Sequence, residues 1–205
     1  MSHVLLINGS PHKNGCTFTA LNEIKAALEK ENITAEIFHI GNHAVHGCNG
    51  CDCCSELKHC VYSDDVCNEM IEKMKQADGI IVGSPVYYSG PNGAFTALLD
   101  RAFYVAGKTF RQKPAAAIVS CRRGGASAAF DRLNKYFTIA QMPVVSSQYW
   151  NAVHGNTPEE VLQDKEGLQI MRTLASNMAW MLNCIEQSNI PKPIPEPRES
   201  TNFIR

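Results

Sequence analysis

Five of the nine cysteines in this chain of 205 residues fall within the segment GCNGCDCCSELKHC, residues 47–60. Cys48, Cys51, Cys54 and Cys60 follow the spacing C-x2-C-x2-C-x5-C. A loop with thiolates at every third residue can surround a [4Fe–4S] cluster, as in bacterial ferredoxins, although those close with a shorter spacing and a proline. A tetrahedral zinc ion is less favoured, because structural zinc usually joins two separated C-x2-C pairs. Free thiols on a surface turn are the third alternative.

The rest of the composition limits the partners of the chain. Lysine and arginine number 19 and aspartate and glutamate 20, so no strong field of either sign can hold nucleic acid or an anionic membrane surface. No apolar run approaches the roughly 20 residues of a membrane span, and no secretory signal is recognisable. We therefore expect a cytoplasmic protein with a small-molecule partner, in a compartment that keeps cysteines reduced.

The segment NGSPHKNGCTFT, residues 8–19, is called loop 1 and joins a predicted strand directly to a predicted helix. Gly9 and Gly15 permit tight turns, while Ser10 and Thr17 supply hydroxyl groups. The first amides of the helix are unpaired donors at the positive end of its dipole, so they suit a phosphate. Neither a G-x-G-x-x-G fingerprint nor a P-loop lysine is present, which argues against a dinucleotide site or a P-loop. A plain turn with an N-cap is the alternative.

Loop 2 is the segment GSPVYYSGPNGAF, residues 83–95, after the third predicted strand. Pro85 stiffens its start, and Tyr87 and Tyr88 place aromatic surface at the strand end. Two further glycines let the backbone come close to a flat ring. Exposed tyrosines on a surface loop are the alternative interpretation.

Loop 3 is the segment SCRRGGASAAF, residues 120–130, after the fourth predicted strand. Gly124 and Gly125 allow close approach of the backbone, and Arg122 or Arg123 offers positive charge to a carbonyl or a phosphate. A solvated arginine pair is the alternative. Ligands of open parallel sheets lie beyond the carboxyl ends of the strands, so the three loops together predict one site.

The elements that position these loops follow from the hydrophobic pattern. Short β-branched runs alternate with segments of helical period, which indicates βαβ units and a parallel sheet. Strands are predicted at residues 3–8, 34–40, 79–84, 115–120 and 143–148. We expect a three-layer αβα fold with five parallel strands in the order 2-1-3-4-5. The domain is predicted to span residues 1–190, and the proline-rich residues 191–205 to form a tail.

The loop segments GSPHKNGCT, GSPVYYSGPNGAFTALLDR and SCRRGG resemble the FMN-binding loops of the flavodoxin-like NAD(P)H-dependent FMN reductases. The cysteine segment resembles the motif of the iron–sulfur flavoproteins of that superfamily, which use a looser fourth spacing. The resemblance extends from Val4 to about His154 and implies a flavodoxin-like α/β fold. His12 and Cys16 stand where the family pattern has arginine and asparagine, so phosphate binding there would fall to backbone amides.

The resemblance also implies which residues hold each group. Loop 1 would bind the FMN phosphate, loop 2 one side of the isoalloxazine ring, and loop 3 its polar edge. The expected FMN-binding residues are Ser10, His12, Asn14, Gly15, Cys16, Thr17, Phe18, Pro85, Val86, Tyr87, Tyr88, Ser120, Cys121, Arg122, Gly124 and Gly125. The expected cluster ligands are Cys48, Cys51, Cys54 and Cys60. We expect no catalytic side chain, because the flavin performs the redox chemistry itself.

By the same resemblance, the chain is expected to be an FMN-dependent NAD(P)H oxidoreductase that reduces a small acceptor such as a flavin or a quinone. A [4Fe–4S] cluster would add a relay to a one-electron carrier such as ferredoxin, and we expect the cysteine segment at the same sheet edge as the flavin loops. Family members imply a homodimer or homotetramer. The alternative is a non-enzymatic electron-transfer flavoprotein, or a redox- or metal-sensing module that uses the cysteine loop.

Overall fold

A six-stranded sheet forms the centre of the molecule, in a computed structural model that describes residues 2–197, 199–201 and 203. The strands are β1 (His3–Asn8), β2 (Thr34–His39), β3 (Gly79–Tyr87), β4 (Gly90–Pro91), β5 (Ala115–Cys121) and β6 (Ala152–His154). Five of them are parallel in the order β2-β1-β3-β5-β6, while β4 pairs antiparallel with the end of β3. The predicted α/β fold and its strand order 2-1-3-4-5 are confirmed.

The last parallel strand lies later in the chain than the sequence pattern predicted. In the segment 143–148, Val144 forms an isolated bridge with Ala115, and no strand develops. The side chain of Ser147 donates to the carbonyl of Tyr149 and to Asn151, each at 2.7 Å, and this local bonding competes with a ladder. The sheet is instead completed by β6.

Helices cover both faces of the sheet and produce the three predicted layers. They are α1 (Cys16–Lys30), α2 (Cys54–Leu57), α3 (Cys67–Gln76), α4 (Gly93–Ala106), α5 (Ala126–Ile139), α6 (Pro158–Val161) and α7 (Lys165–Gln187), with a 3-10 turn at Gly107–Phe110. Residues of α1 and α7 pack in the hydrophobic core on one face, and residues of α3, α4 and α5 pack in the core on the other.

The alternation along β1 shows how the sequence builds two cores at once. Leu5 and Ile7 belong to the core under α3, α4 and α5, whereas Val4 and Leu6 belong to the core under α1 and α7. All four side chains are fully buried, because successive side chains of a strand point to opposite faces and both faces are covered. The sheet is thereby fixed, and its carboxyl edge becomes a rigid base for the loops.

None of the helices in the described part of the chain combines the length and the apolarity that a membrane span requires. After α7, residues 188–197 contain no helix or strand, and Ile190 and Ile194 are exposed. The predicted tail, residues 191–205, includes Arg198, Asn202, Ile204 and Arg205, which lie outside the described residues. The division into a domain and a tail stays a prediction.

Candidate functional site

Loop 1 is held in place by its own short polar contacts. The buried Asn8 accepts from the amide of Ser10 at 3.1 Å, and the hydroxyl of Ser10 accepts from the amide of His12 at 3.1 Å. The ring Nε2 of His39, at the end of β2, lies 2.8 Å from the carbonyl oxygen of Ser10. These bonds fix the backbone between β1 and α1 before any ligand is present.

The start of α1 is open to an anion. Gly15 is its N-cap and provides no side-chain hydrogen bond, and the first turn holds no acidic residue. The first α-helical bond runs from the amide of Thr19 to Gly15, at 3.0 Å, so the amides of Cys16, Thr17 and Phe18 have no carbonyl partner within the helix. Side chains cap α4, α6 and α7 through Asn92, Thr157 and Asp164, whereas α5, which begins after Gly125, is uncapped like α1. An open N-terminus of this kind suits a phosphate.

Hydrogen bonds join loop 1 to the other two loops. The buried hydroxyls of Thr17 and Ser120 lie 2.8 Å apart, which connects the first turn of α1 to the end of β5. The side chain of Asn92 donates to the carbonyl of Gly9 at 3.0 Å, and the amide of Gly9 donates to the carbonyl of Gly83 at 2.8 Å. The predicted phosphate loop and the two predicted ring loops therefore meet at one edge of the sheet.

Loop 2 contains a strained two-residue hairpin turn. Tyr87 pairs with Gly90, and the turn between them consists of Tyr88 and Ser89, whose φ angles are 49° and 61°. Two positive φ values are typical of a type I′ turn, in which asparagine and glycine are the usual residues. The turn leaves the Tyr88 side chain fully exposed, with the Tyr87 ring partly exposed beside it. Non-glycine residues held in such conformations cluster at binding sites.

Loop 3 touches loop 2 through a glycine. Gly125 has a φ of 87°, and a Cβ atom there would lie 2.9 Å from Cα of Ser89 and 3.1 Å from Cγ1 of Val86. The neighbouring Gly124 is unconstrained, because a Cβ atom there would meet nothing within 4 Å. Only a residue without a side chain fits position 125 unstrained, so the contact between the two loops depends on this glycine.

Other predicted FMN-binding residues have less defined surroundings. His12, Asn14 and Arg122 are exposed, while Cys121 is buried and burial raises the pKa of its thiol. Burial also raises the pKa of the Cys16 thiol, whose sulfur lies 3.8 Å from the carbonyl of Gly155 in the loop after β6. Pro85, near the end of β3, and Phe18, at the start of α1, are half-buried. The assignment of these residues to FMN stays a prediction.

A cavity of about 370 Å³ opens beside loop 3. Arg123, Gly124 and Gly125 form one side of it, and the exposed rings of Tyr149 and Trp150, with centroids 5.0 Å apart, form another. This volume lies in the range of small-molecule sites. Loop 3 therefore borders free space of ligand size, whose lining also includes His154, Asp164 and Glu166.

The four predicted cluster ligands line a second, smaller cavity of about 30 Å³. Cys48 and Cys51 are exposed, Cys54 is half-buried and Cys60 is buried. Among the described residues, no three His, Cys, Asp or Glu side chains converge closely enough to bind a single metal ion. Four thiolates are the donor set of a [4Fe–4S] cluster, so the ligand chemistry of this segment matches such a cluster, and its presence stays a prediction.

The path of the cysteine segment starts at the carboxyl edge of the sheet and ends against α4. The chain leaves the carboxyl edge of the sheet, where the amide of Ile40 donates to Asn8 at 3.2 Å. The cysteines then lie against Arg101, Tyr104 and Val105 in the second half of α4. The helix thus runs from the flavin loops at its first residue to the cysteine cavity near its end.

Arg101 is the main residue of this region that sequence reasoning missed. Its side chain is 1% exposed, and its Nε donates to the sulfur of Cys60 at 3.1 Å. Its two Nη atoms donate to the carboxylate of Asp65 and to the carbonyls of Tyr62 at 3.2 Å and His46 at 3.3 Å. Burial opposes the charge, but the bonds to Asp65 and Cys60 raise the pKa of Arg101, so the guanidinium stays charged.

Two further observations complete the site. Burial raises the pKa of the Cys67 thiol to about 12, so this nearby cysteine stays protonated and does not compete as a thiolate ligand. Asn92, which joins loops 1 and 2, was not among the predicted site residues, although an Asn-Gly pair before a helical pattern is a recognisable N-cap signal.

Comparisons with known proteins agree with this geometry. Residues 2–157 match the family model described as NADPH-dependent FMN reductase. An iron-sulfur flavoprotein of Methanocaldococcus jannaschii is 33% identical, over 90% of this chain and 99% of that protein. Among solved structures, RosB with a bound formylriboflavin phosphate intermediate has a TM-score of 0.74 at 14% identity and covers 100% of this chain and 94% of that chain. A WrbA-like flavodoxin from Agrobacterium tumefaciens has a TM-score of 0.63 at 15% identity, with 89% and 98% covered. These structures show that the fold is flavodoxin-like.

Proposed function

The chain belongs to the NADPH-dependent FMN reductase family, and from this premise we propose that it is an FMN-dependent oxidoreductase that takes hydride from NAD(P)H and reduces a small acceptor. The observation that carries the proposal is the meeting of three loops over the uncapped N-terminus of α1. FMN supplies the redox chemistry when bound, and the protein orients it and controls its surroundings.

The phosphate of FMN would bind at loop 1. The amides of Cys16, Thr17 and Phe18 are free for an anion, and the dipole of the 15-residue helix α1 favours negative charge at this end. The hydroxyl oxygen of Ser10 accepts from His12, so its O–H group can still donate to the phosphate, while Thr17 and Ser120 bond each other and shape the loop. Thus phosphate binding does not require the arginine and asparagine that the family pattern has in place of His12 and Cys16.

The ring of FMN would lie against loops 2 and 3. The rigid segment from Pro85 to Tyr88 offers the aromatic surface, and the backbone of Gly124 and Gly125 permits close approach. Arg122 and Arg123, exposed at the end of β5, place positive charge near the ring edge, where they favour electron gain by the flavin. The cavity lined by Tyr149 and Trp150 would leave room for a flat acceptor beside the flavin ring.

The cysteine loop would hold a [4Fe–4S] cluster through Cys48, Cys51, Cys54 and Cys60. Support comes from the shared cavity of these four thiols and from the relative whose name includes iron and sulfur. A cluster carries one electron at a time, so two transfers from a carrier such as ferredoxin, with two protons, would match the reduction of one quinone-type acceptor. This relay would supplement NAD(P)H as a source of electrons.

We further propose that the protein acts in the cytoplasm as a homodimer or homotetramer. All nine cysteines are free thiols in the structure, a state that a reducing compartment maintains. Tyr104 and Trp180 are large side chains on helix surfaces that are 70% and 67% exposed, and contact with a second copy would remove them from water. Size-exclusion chromatography with light scattering measures the assembly directly.

An anaerobic absorption spectrum of freshly purified protein, with iron, zinc and sulfide assays on the same sample, tests the proposal. We expect about one FMN and about four irons per chain, and flavin absorbance that bleaches when NADPH or NADH is added. Flavin that resists both nicotinamides would indicate a passive electron carrier. Absence of flavin would contradict the enzyme proposal and favour a sensing module, and zinc without iron would replace the cluster.

A further inference from the structure

We infer that Arg101 is a positioning residue that raises the reduction potential of the iron–sulfur cluster through its hydrogen bond to the Cys60 sulfur. The inference rests on the proposed cluster, and it goes beyond that proposal because it assigns a role to a residue outside the ligand set. Its basis is the 3.1 Å contact between Nε of Arg101 and Sγ of Cys60, inside the cavity that the four cysteines line.

The guanidinium of Arg101 is held in place by four acceptors. Its acceptors are the Cys60 sulfur, the Asp65 carboxylate and the carbonyls of His46 and Tyr62, and its carbon lies 5.4 Å from the centre of the Tyr62 ring. Its backbone belongs to α4, which is anchored in the core. A planar fork with several donors can meet all these acceptors at once, which a lysine ammonium cannot do in the same geometry.

Arg101 affects the potential of the cluster mainly through Cys60, because that ligand is buried. Cys60 is 9% exposed, whereas Cys48 and Cys51 are exposed to solvent that screens their charge. Hydrogen bonds to ligand sulfurs, net charge and solvent exposure set the potential of an iron–sulfur centre. A donor on the buried sulfur stabilises the extra electron of the reduced state, so Arg101 raises the potential.

Asp65 acts in the opposite direction on the same centre. Its carboxylate pairs with Arg101, also accepts from the amides of Cys67 at 3.0 Å and His46 at 3.2 Å, and is almost fully buried. Removal of its negative charge leaves the region more positive while an asparagine oxygen can still accept from Arg101. Loss of the Arg101 donor should therefore lower the reduction potential of the cluster, and loss of the Asp65 charge should raise it. A purely structural role of Arg101 would not produce these opposite shifts.

The test is an EPR-monitored redox titration of the anaerobically purified holoprotein and its R101K variant. R101K keeps the positive charge and loses the Nε donor to sulfur. We expect the reduced-to-oxidised ratio at a given potential to fall at least tenfold, a negative shift of about 59 mV for a one-electron couple. The matched control is R172K, which changes an exposed arginine that bonds Glu23, and no shift is expected there.

D65N supplies the second arm of the test. We expect its midpoint potential to move to more positive values, with iron and FMN contents equal to those of the parent protein. Equal potentials in the parent, R101K and D65N, with clusters present in all three, would overturn the role of Arg101 and leave the proposed function standing. Parent protein with FMN but without iron would overturn the cluster proposal and this inference together. Iron loss confined to R101K, with no change in D65N, would reduce Arg101 to a structural role and contradict the inference.

Discussion

Asp65 is the carboxylate that neutralises a buried guanidinium beside the cysteine cavity. Burial by itself would raise its pKa, but hydrogen bonds from Arg101 and from the amides of Cys67 and His46 hold that pKa below the ordinary value. Its stabilising contribution is therefore complete above the unfolded pKa of about 3.9 and is lost as the pH falls through the lower folded pKa.

We predict that D65N lowers the free energy of unfolding by about 3 kcal/mol at pH 7, because it leaves a buried charge without its partner. The difference from the parent protein should begin to shrink below about pH 4, where the Asp65 carboxylate of the unfolded parent takes up a proton, and should be lost as the pH falls through the lower folded pKa. Urea denaturation of iron-free protein between pH 7 and pH 3 measures both effects. A difference that stays constant over this range would contradict the assignment.

The adjacent glycines of loop 3 offer a matched pair of substitutions. At Gly125 the backbone is left-handed and a Cβ atom would lie 2.9 Å from Cα of Ser89, whereas Gly124 has open space. We predict that G125A destabilises the apoprotein by about 2 kcal/mol, since the left-handed conformation alone costs roughly 1–2 kcal/mol. G124A should remain within about 0.5 kcal/mol of the parent. Equal denaturation midpoints for the two variants would show that the loop contact is dispensable.

Single residues also show what a sequence can and cannot reveal. The glycines and hydroxyls of loop 1 were recognisable because their types and their place after a strand have a direct physical meaning. Arg101 was not, because an arginine in the stretch LLDRAF reads as an ordinary solvated position of an amphipathic helix. Arg101 is buried by the segment that carries Cys60 and Asp65. These residues lie more than 35 positions away in the sequence, so no local pattern indicates the contact.

At the scale of elements, the position of strands and loops followed from local pattern more reliably than their exact extent. The first four parallel strands were predicted almost to their ends, since buried β-branched runs bounded by glycine or proline admit few other structures. The fifth failed because the Ser147 side chain bonds locally to Tyr149 and Asn151, and the three residues of β6 are too short to be recognised. The position of the fifth parallel strand is set by its pairing with β5, which no local sequence pattern reveals.

The open N-terminus of α1 leads to a prediction about ligand charge. Asn14 is exposed just before the N-cap, and N14D adds a negative charge there with little change in shape. Like charges a few ångströms apart at a surface repel by roughly 1–4 kcal/mol, so the FMN dissociation constant should rise about tenfold or more. The affinity for riboflavin, which lacks the phosphate, should change less than about twofold.

A control at the other end of the same helix makes this result specific. Asn32 follows the 15-residue α1, roughly 22 Å from its start, beyond the screening length of about 8–10 Å in physiological salt. N32D should therefore leave FMN binding unchanged. Fluorescence titration of the parent, N14D and N32D apoproteins with FMN and riboflavin measures all six affinities, and equal losses for the two ligands in N14D would exclude a phosphate site at α1.

On the scale of the whole molecule, α4 connects two chemically different regions. Its first residue, Gly93, belongs to loop 2, and Arg101 lies eight residues later, about 12 Å along a helix axis. The residues that line the cysteine cavity do not include any of the three flavin loops. The core under α4 fixes the separation between these regions, so we expect that loss of the proposed cluster would leave the proposed flavin site intact.

This separation predicts the behaviour of a triple variant in which Cys48, Cys51 and Cys54 are replaced by serine. These thiols are exposed or half-buried, so the free energy of unfolding of the apoprotein should change by less than about 0.5 kcal/mol. Bound iron should be lost, while the FMN affinity and the rate of bleaching by NAD(P)H stay within about twofold of the parent, and electron uptake from a one-electron donor disappears. C184S, at an exposed cysteine on α7, is the control. Loss of FMN together with iron would show that the cysteine loop supports the flavin site through contacts across the whole molecule, and that α4 does not separate the two functions.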